Sequence, residues 1–175
     1  GSNNDYYVVV FRERNDNHYK MANIRHILVK AEAAEDGTYS DEAKKAAKEK
    51  AEEILAQWKA GEATEESFAA LANELSEDGG SNTNGGLYEN VIKGQMVPEF
   101  DEFCFAGHKV GDTDIVYGES AAYAGYHVMY FAGEGDLYSN AIAKDALASG
   151  EIESLITGLT DGLEIERGFG YRFVG

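Results

Sequence analysis

The fold of this chain centres on the stretch Gly94-Gln95-Met96-Val97-Pro98-Glu99-Phe100, which holds the only proline among its 175 residues. A glycine followed by a proline predicts a short helix that begins at the proline. Met96 and Phe100 are four residues apart, so one helical turn places both side chains on the same face. Phe103 and Phe105 follow at once and enlarge this apolar surface. Most such clusters pack in a core, but two histidine-containing stretches elsewhere in the chain favour a binding surface.

Two strands are predicted upstream of this stretch. Residues 6–12 form a β-branched and aromatic run that is typical of a strand. Residues 22–30 carry apolar side chains on both faces, which indicates a central strand covered on both sides. His26 lies inside this second strand and shares a face with Ile24 and Leu28.

Two amphipathic helices are predicted to follow. Ser40 or Asp41 can cap the first helix, which Gly61 ends. Thr64 can cap the second, which carries acidic residues in its first turn. The glycine-rich segment 76–86 then predicts a loop with positive φ angles and not a linker, because these helices have no separate sheet to pack on. The apolar stripes of the two helices consist of Ala43, Ala46, Ala47, Ala51, Ile54, Leu55 and Trp58, and of Phe68, Leu71, Ala72 and Leu75.

The C-terminal third predicts a hairpin, a helix and a closing strand. Residues 114–117 and 126–131 indicate two strands joined as a hairpin. A helical pattern runs over 139–159 with an interruption at Gly150. Residues 163–174 are typical of a strand, which can pair with the first predicted strand and extend one edge of the sheet.

The composition excludes several classes of partner. The chain carries 15 Lys+Arg against 32 Asp+Glu, a formal net charge of −17. Nucleic acids and anionic membranes select basic patches, so neither is an expected partner. No run approaches the roughly 20 apolar residues of a membrane-spanning helix. The opening Gly1-Ser2 resembles a cloning remnant, so a natural signal or anchor would lie outside this sequence.

Neither a metal site nor a cofactor is predicted. The 4 histidines are scattered along the chain. Cys104 and His108 are four residues apart, but no second ligand pair accompanies them. The paired glycines lack the strand-to-helix context of a phosphate-binding loop. Cys104 is the single cysteine and is expected to be a buried or half-buried thiol.

A series of short motifs resembles those of the parvulin-type peptidyl-prolyl cis-trans isomerases, in the same order and with similar spacing. The resemblance implies an α+β fold, with a four-stranded antiparallel sheet surrounded by helices. It places an isomerase domain at 22–132, an N-terminal extension with a strand at 1–21 and a C-terminal helix–strand extension at 133–175, and the extensions can add strands and a helix. The motifs are Arg25–Lys30, Phe68–Ala72, Ser76–Ser81, Gly85-Gly86-Leu87, Gly94–Phe100, Phe105, Val110-Gly111-Asp112 and Gly125–Val128.

The resemblance also implies catalytic residues. His26 and His127 match the two facing histidines of the family. Asp78 falls where some members have a cysteine and many bacterial members have an aspartate. Ala124 departs from the pattern, because a hydroxyl residue often stands there beside the second histidine.

An apolar pocket for the proline ring is implied as well. Met96, Phe100 and Leu87 match the residues of this pocket, and Phe105 matches an aromatic at its floor. Methionine adapts its shape and phenylalanine can stack on the ring, while Leu87 would close one wall.

The sequence leaves open how the polar residues act. The histidines either form a neutral hydrogen-bonded pair that fixes the pocket floor or titrate and polarise the amide. The neutral pair is favoured, because twisting an amide needs no proton transfer and buried histidine is easier to keep neutral. Asp78 either acts electrostatically, ionised or protonated, beside the substrate carbonyl or simply caps its loop.

Two functions are consistent with these residues. The first is a peptidyl-prolyl isomerase that assists the folding of unfolded or extended X-Pro polypeptides. The second is a peptide-binding chaperone module that catalyses poorly.

The loop at 31–36 is acidic, so selection of phosphorylated residues before proline is not expected. The chain resembles bacterial extracytoplasmic foldases, which implies a cell-surface or secreted location, and its oligomeric state is not predicted.

Overall fold

The computed structural model describes residues 17–160, so the segments 6–12 and 163–174 predicted as strands lie outside it. The chain divides into two compact units, with the boundary between Tyr138 and Ser139. The elements are β1 (Lys20–Lys30), α1 (Asp41–Ala60), α2 (Glu65–Leu75), β2 (Leu87–Val91), α3 (Pro98–Phe105), β3 (Thr113–Glu119), β4 (Ala124–Leu137) and α4 (Tyr138–Thr160). No helix in this part of the chain is long and apolar enough to cross a membrane.

The first unit is built on a four-stranded sheet with the order β2-β1-β4-β3. Every neighbouring pair is antiparallel. The strand predicted at 22–30 is therefore central, and the predicted hairpin is formed by β3 and β4. The α+β fold with a four-stranded antiparallel sheet and surrounding helices is confirmed.

The sheet is covered on both faces, by α1 and α2 on one and by α3 on the other. Alternation along a strand decides which residues point to which face. Ile27 and Val29 of β1 pack with Trp58 and Phe68 of the two long helices. The alternate residues of the strands point to the opposite face and form a second cluster with α3. This cluster consists of Ala22, Ile24, Val91, Phe100, Phe103, Cys104, Met129 and Phe131.

Strand β4 runs beyond its predicted end at residue 131 and reaches Leu137. A glycine just beyond residue 131 permits an irregularity in the ladder. Phe131 pairs with Ile24 while Gly133 pairs with Asn23, so β4 holds an extra residue there. Gly133 has a φ of +150°, which a residue with a side chain rarely adopts.

Helix α3 begins at the only proline, as predicted. Asp101 in its first turn accepts a hydrogen bond from the backbone N–H of Gly94 at 2.8 Å, which ties the preceding turn to the helix. Phe100, Phe103 and Cys104 are buried against the sheet. This packing positions the residues just before the helix over the middle of β1 and β4.

Candidate active site

A cleft of about 250 Å³ opens between the sheet and α3. It is open to solvent at one side, and apolar side chains make up most of its surface. The residues that line it are His26, Leu28, Asp78, Tyr88, Gln95, Met96, Val97, Phe100, Tyr123 and His127.

Two histidines form the floor of the cleft. His26 on β1 and His127 on β4 lie on the α3 face, in neighbouring antiparallel strands, where Leu28 is the direct partner of His127. Their Nδ1 atoms are 2.9 Å apart, and each residue is only 3% exposed. The structure thus brings together the two histidines that the sequence places 101 residues apart.

Asp78 contacts Nε2 of His26, the ring nitrogen that is not shared with His127. Its Oδ2 lies 2.9 Å from His26 Nε2 and accepts hydrogen bonds from the hydroxyls of Ser81 at 2.5 Å and Tyr88 at 3.0 Å. Its Oδ1 accepts from the backbone N–H of Gly80 at 3.1 Å. The hydrogen bond from His26 is the main reason that the pKa of Asp78 lies well below its usual range, and partial burial opposes it. Asp78 is therefore an ionised carboxylate that also caps its own loop.

The carboxylate determines where one proton of His26 lies. An ionised Asp78 can only accept, so His26 carries a proton on Nε2. A neutral His26 would accept at its Nδ1 from the Nδ1–H of His127. Burial, with a further contribution from His26, lowers the pKa of His127 to about 3. The neutral hydrogen-bonded pair that the sequence favoured stays a prediction.

Phe100, which the sequence predicts for the proline pocket, lines the cleft. Its ring meets the rings of both histidines edge to face, at centroid distances of 5.3 Å for His26 and 5.2 Å for His127. Met96 and Val97, in the turn before α3, line the same cleft. A small apolar ring placed here would contact aromatic and thioether groups and little water.

Two residues predicted for the pocket, Leu87 and Phe105, are not among the residues that line this cleft. Leu87 pairs with Arg25 in the sheet and is absent from the cleft lining, where its neighbour Tyr88 is found. Adjacent residues of a strand point to opposite faces, so only one of the two can face the cleft. Phe105 lies about 140° around α3 from Phe100 and packs edge to face on Tyr19 at 5.6 Å, beside a separate cavity.

Sequence reasoning missed several residues of this site. Tyr88 could have been found from the alternation in β2. Ser81 belongs to a quoted motif but received no role. Tyr123, whose hydroxyl lies 2.9 Å from His127 Nε2, comes from the β3–β4 loop and matches no quoted motif. Within residues 17–160, no group of three or more His, Cys, Asp or Glu side chains could hold a metal ion.

Acid is expected to destabilise the folded domain through His127. The unfolded chain takes up a proton on this residue near its ordinary pKa of 6.5, whereas the folded chain does so only near 3. Stability is thus complete above about pH 6.5 and falls as the pH drops toward 3, by about 1.4 kcal/mol per unit. The loss at pH 4.5 is about 3 kcal/mol, measured by urea unfolding at several pH values.

The matched variant for this measurement is His127→Gln. The stabilising effect of Asp78 is fully present above the ordinary carboxyl pKa of 3.8. Asp78 therefore does not contribute to the change in stability between pH 6.5 and 4.5. The variant is expected to be less stable at pH 7 and to lose less stability on acidification. Parallel pH profiles for the two proteins would contradict the assignment of a buried neutral His127.

Comparisons with known proteins bear on the family to which this chain belongs. The sequence profile of the PPIC-type PPIASE domain matches residues 7–131. The chain is 30% identical over 139 residues to foldase protein PrsA 3 of Bacillus anthracis, covering 79% of this chain and 41% of that protein. It is 41% identical over 64 residues to foldase protein PrsA 3 of Bacillus cereus, covering 37% of this chain and 21% of that protein. The chain therefore spans less than half the length of these curated relatives.

Two solved structures of relatives are also similar. The peptidylprolyl isomerase PrsA of Bacillus anthracis has a TM-score of 0.48 and 27% identity, with 74% of this chain and 51% of that chain covered. The corresponding Bacillus cereus protein has a TM-score of 0.49 and 24% identity, with 87% and 54% covered. The profile match over residues 7–131 spans most of the chain, and this chain belongs to the family of PPIC-type, or parvulin-type, peptidyl-prolyl isomerase domains.

Proposed function

We propose that this domain catalyses the cis–trans isomerisation of X–Pro bonds in unfolded or extended polypeptides. The observation that carries the proposal is a cleft that Phe100 and Met96 line together with a hydrogen-bonded histidine pair. Such bonds exchange in tens of seconds or longer without a catalyst, which is slow enough to limit folding. The domain would therefore act as a folding assistant.

The chemistry needs neither a covalent step nor a cofactor. Amide resonance imposes a rotational barrier of about 18–20 kcal/mol, and resonance is lost when the bond is twisted. The twisted amide has less charge separation than the planar one, so an apolar seat favours it. Phe100 would hold the proline ring while the rest of the chain rotates about the bond. The neutral histidines would keep the floor rigid without exchanging protons with the substrate.

The Asp78 carboxylate would add an electrostatic contribution. It lines the cleft while its oxygens remain bound to His26, Ser81 and Tyr88. A fixed negative charge near the planar amide disfavours the partial negative charge on the substrate carbonyl oxygen. That charge diminishes as the bond twists, so the repulsion is greater in the ground state than in the transition state.

The proposed substrates are not phosphorylated. Neither lysine nor arginine is among the residues that line the cleft, and its one charged group is a carboxylate. The loop after β1 is acidic, with Glu32, Glu35 and Asp36 exposed. Phosphate recognition relies on paired basic side chains, which this rim does not offer.

We extend the proposal to an extracytoplasmic location, because the curated relatives are named as foldases and the chain resembles foldases that act outside the cytoplasm.

Met96→Ala tests the proposal. Met96 is only partly buried, so its loss should affect binding of the proline ring more than folding. We expect kcat/KM for an Ala-Pro peptide to fall about tenfold, equivalent to about 1.4 kcal/mol of transition-state stabilisation. The measurement is NMR exchange spectroscopy at sub-stoichiometric protein.

The matched control is Val110→Ala, which truncates an apolar side chain that is 64% exposed and lies outside the cleft lining. It should exchange the peptide as fast as the unmodified protein. If the unmodified protein binds the peptide but does not accelerate exchange, the isomerase proposal fails. The domain would then be a peptide-binding chaperone module, the alternative that the sequence left open.

A further inference from the structure

Tyr123 ends the loop between β3 and β4 and lines the cleft. Its hydroxyl lies 2.9 Å from His127 Nε2, and the two rings meet edge to face at 5.7 Å. The side chain is partly buried, and burial is the main reason that the pKa of its phenol is raised. The phenol therefore keeps its proton at neutral pH and can donate it in a hydrogen bond.

The proton positions of the histidine pair create a need for such a donor. For a neutral histidine pair beside an ionised Asp78, His127 carries its proton on Nδ1, so its Nε2 is an acceptor inside a residue that is 3% exposed. A buried acceptor without a donor is costly. Position 124, where the parvulin resemblance leads one to expect a hydroxyl, holds a fully buried alanine. The Tyr123 hydroxyl is the donor that reaches this nitrogen.

We propose that Tyr123 is a positioning residue, which holds His127 in its Nδ1–H tautomer and orients the ring on which Phe100 packs. The hydrogen bonds then run in one direction, from Tyr123 through His127 and His26 to Asp78. In this chain, a tyrosine from the neighbouring position takes over the task expected of a hydroxyl residue at position 124. The proposal rests on the proposed function only for the use made of the oriented ring.

The hydrogen bond matters because His127 forms part of the floor beneath the proline seat. Its ring contacts His26 on one side and Phe100 on another. Without the Tyr123 hydroxyl, Nε2 would face the cleft unsatisfied or would take up the proton from Nδ1. In the second case two unprotonated nitrogens would meet between the histidines unless His26 also changed tautomer. That change would leave the Asp78 carboxylate without its donor from His26.

Tyr123→Phe tests the proposal by removing only the hydroxyl. The control is Tyr117→Phe, which removes a hydroxyl that donates to Glu119 on β3, outside the cleft lining. Side-chain ¹⁵N spectra at pH 7 should show His127 of the unmodified protein protonated at Nδ1, with Nε2 shifted as a hydrogen-bonded acceptor. In Tyr123→Phe we expect Nε2 to move toward the shift of a free imidazole nitrogen, or the tautomers to mix. We also expect kcat/KM to fall about fivefold, whereas Tyr117→Phe changes neither.

The spectra separate this proposal from the proposed function, because they need no activity. If the unmodified protein proves inactive as an isomerase, the proposed function fails. A changed Nε2 shift in Tyr123→Phe would still support the positioning role of Tyr123. An unchanged His127 spectrum in Tyr123→Phe would overturn the positioning role, whatever the activity. So would an Nε2–H tautomer in the unmodified protein, a result that does not depend on the variant folding.

Discussion

Phe100→Ala will reduce kcat/KM for X–Pro isomerisation by about 100-fold or more, equivalent to about 2.7 kcal/mol of transition-state stabilisation. Phe100 is 2% exposed and is the aromatic that meets both histidine rings. Its removal takes away the apolar seat that we propose for the proline ring. The same change deletes a buried side chain from the second cluster. The free energy of unfolding will therefore also fall, by about 3–5 kcal/mol.

The loss of activity can be separated from the loss of stability by a gentler pair of variants. Phe100→Leu and Phe103→Leu alter buried aromatics of the same short helix, and each should cost about 1 kcal/mol of stability. Phe103 stacks on His108 and does not line the cleft. Only Phe100→Leu should slow exchange of an Ala-Pro peptide, by about tenfold. Equal activity in the two variants would place the proline seat elsewhere.

Gly86→Ala is expected to lower the free energy of unfolding by more than about 3 kcal/mol. Gly86 has a φ of +69°, and a Cβ built there would lie 2.2 Å from the backbone oxygen of His26. Its own carbonyl accepts a hydrogen bond from the His26 N–H at 2.9 Å, so the two backbones cannot separate without losing that bond. The clash falls between β1 and the end of the loop that carries Asp78, so the Asp78–His26 contact should be lost as well.

Gly94→Ala is the matched control for this prediction. Gly94 has a similar φ of +79°, but nothing lies within 4 Å of a Cβ built there. It should cost only the left-handed strain, about 1–2 kcal/mol. Urea unfolding of both variants measures the difference. Equal losses would mean that backbone strain, and not the approach to His26, explains the need for glycine at position 86.

The sequence alone determined the features that follow from periodicity. Apolar stripes at helical spacing located α1 and α2, and alternation in β1 and β4 placed His26 and His127 on faces that could meet. The start of α3 at the only proline followed from the fixed φ of that residue. These features are local, because the geometry of one helix or strand decides them and its own residues encode it. The family resemblance added that the two histidines face each other.

Only the tertiary structure decided which groups touch in the cleft. Whether Tyr88 or Leu87 lines the cleft depends on which face of β2 turns toward α3. Phe105 lies outside the cleft because of the rotation of α3 about its own axis. The contacts of Asp78 and Tyr123 with the histidines depend on two loops that approach the sheet from different parts of the chain. A hydrogen bond requires donor and acceptor within about 3 Å. That precision comes from strand register, turn conformation and packing acting together, and no local pattern in the sequence encodes it.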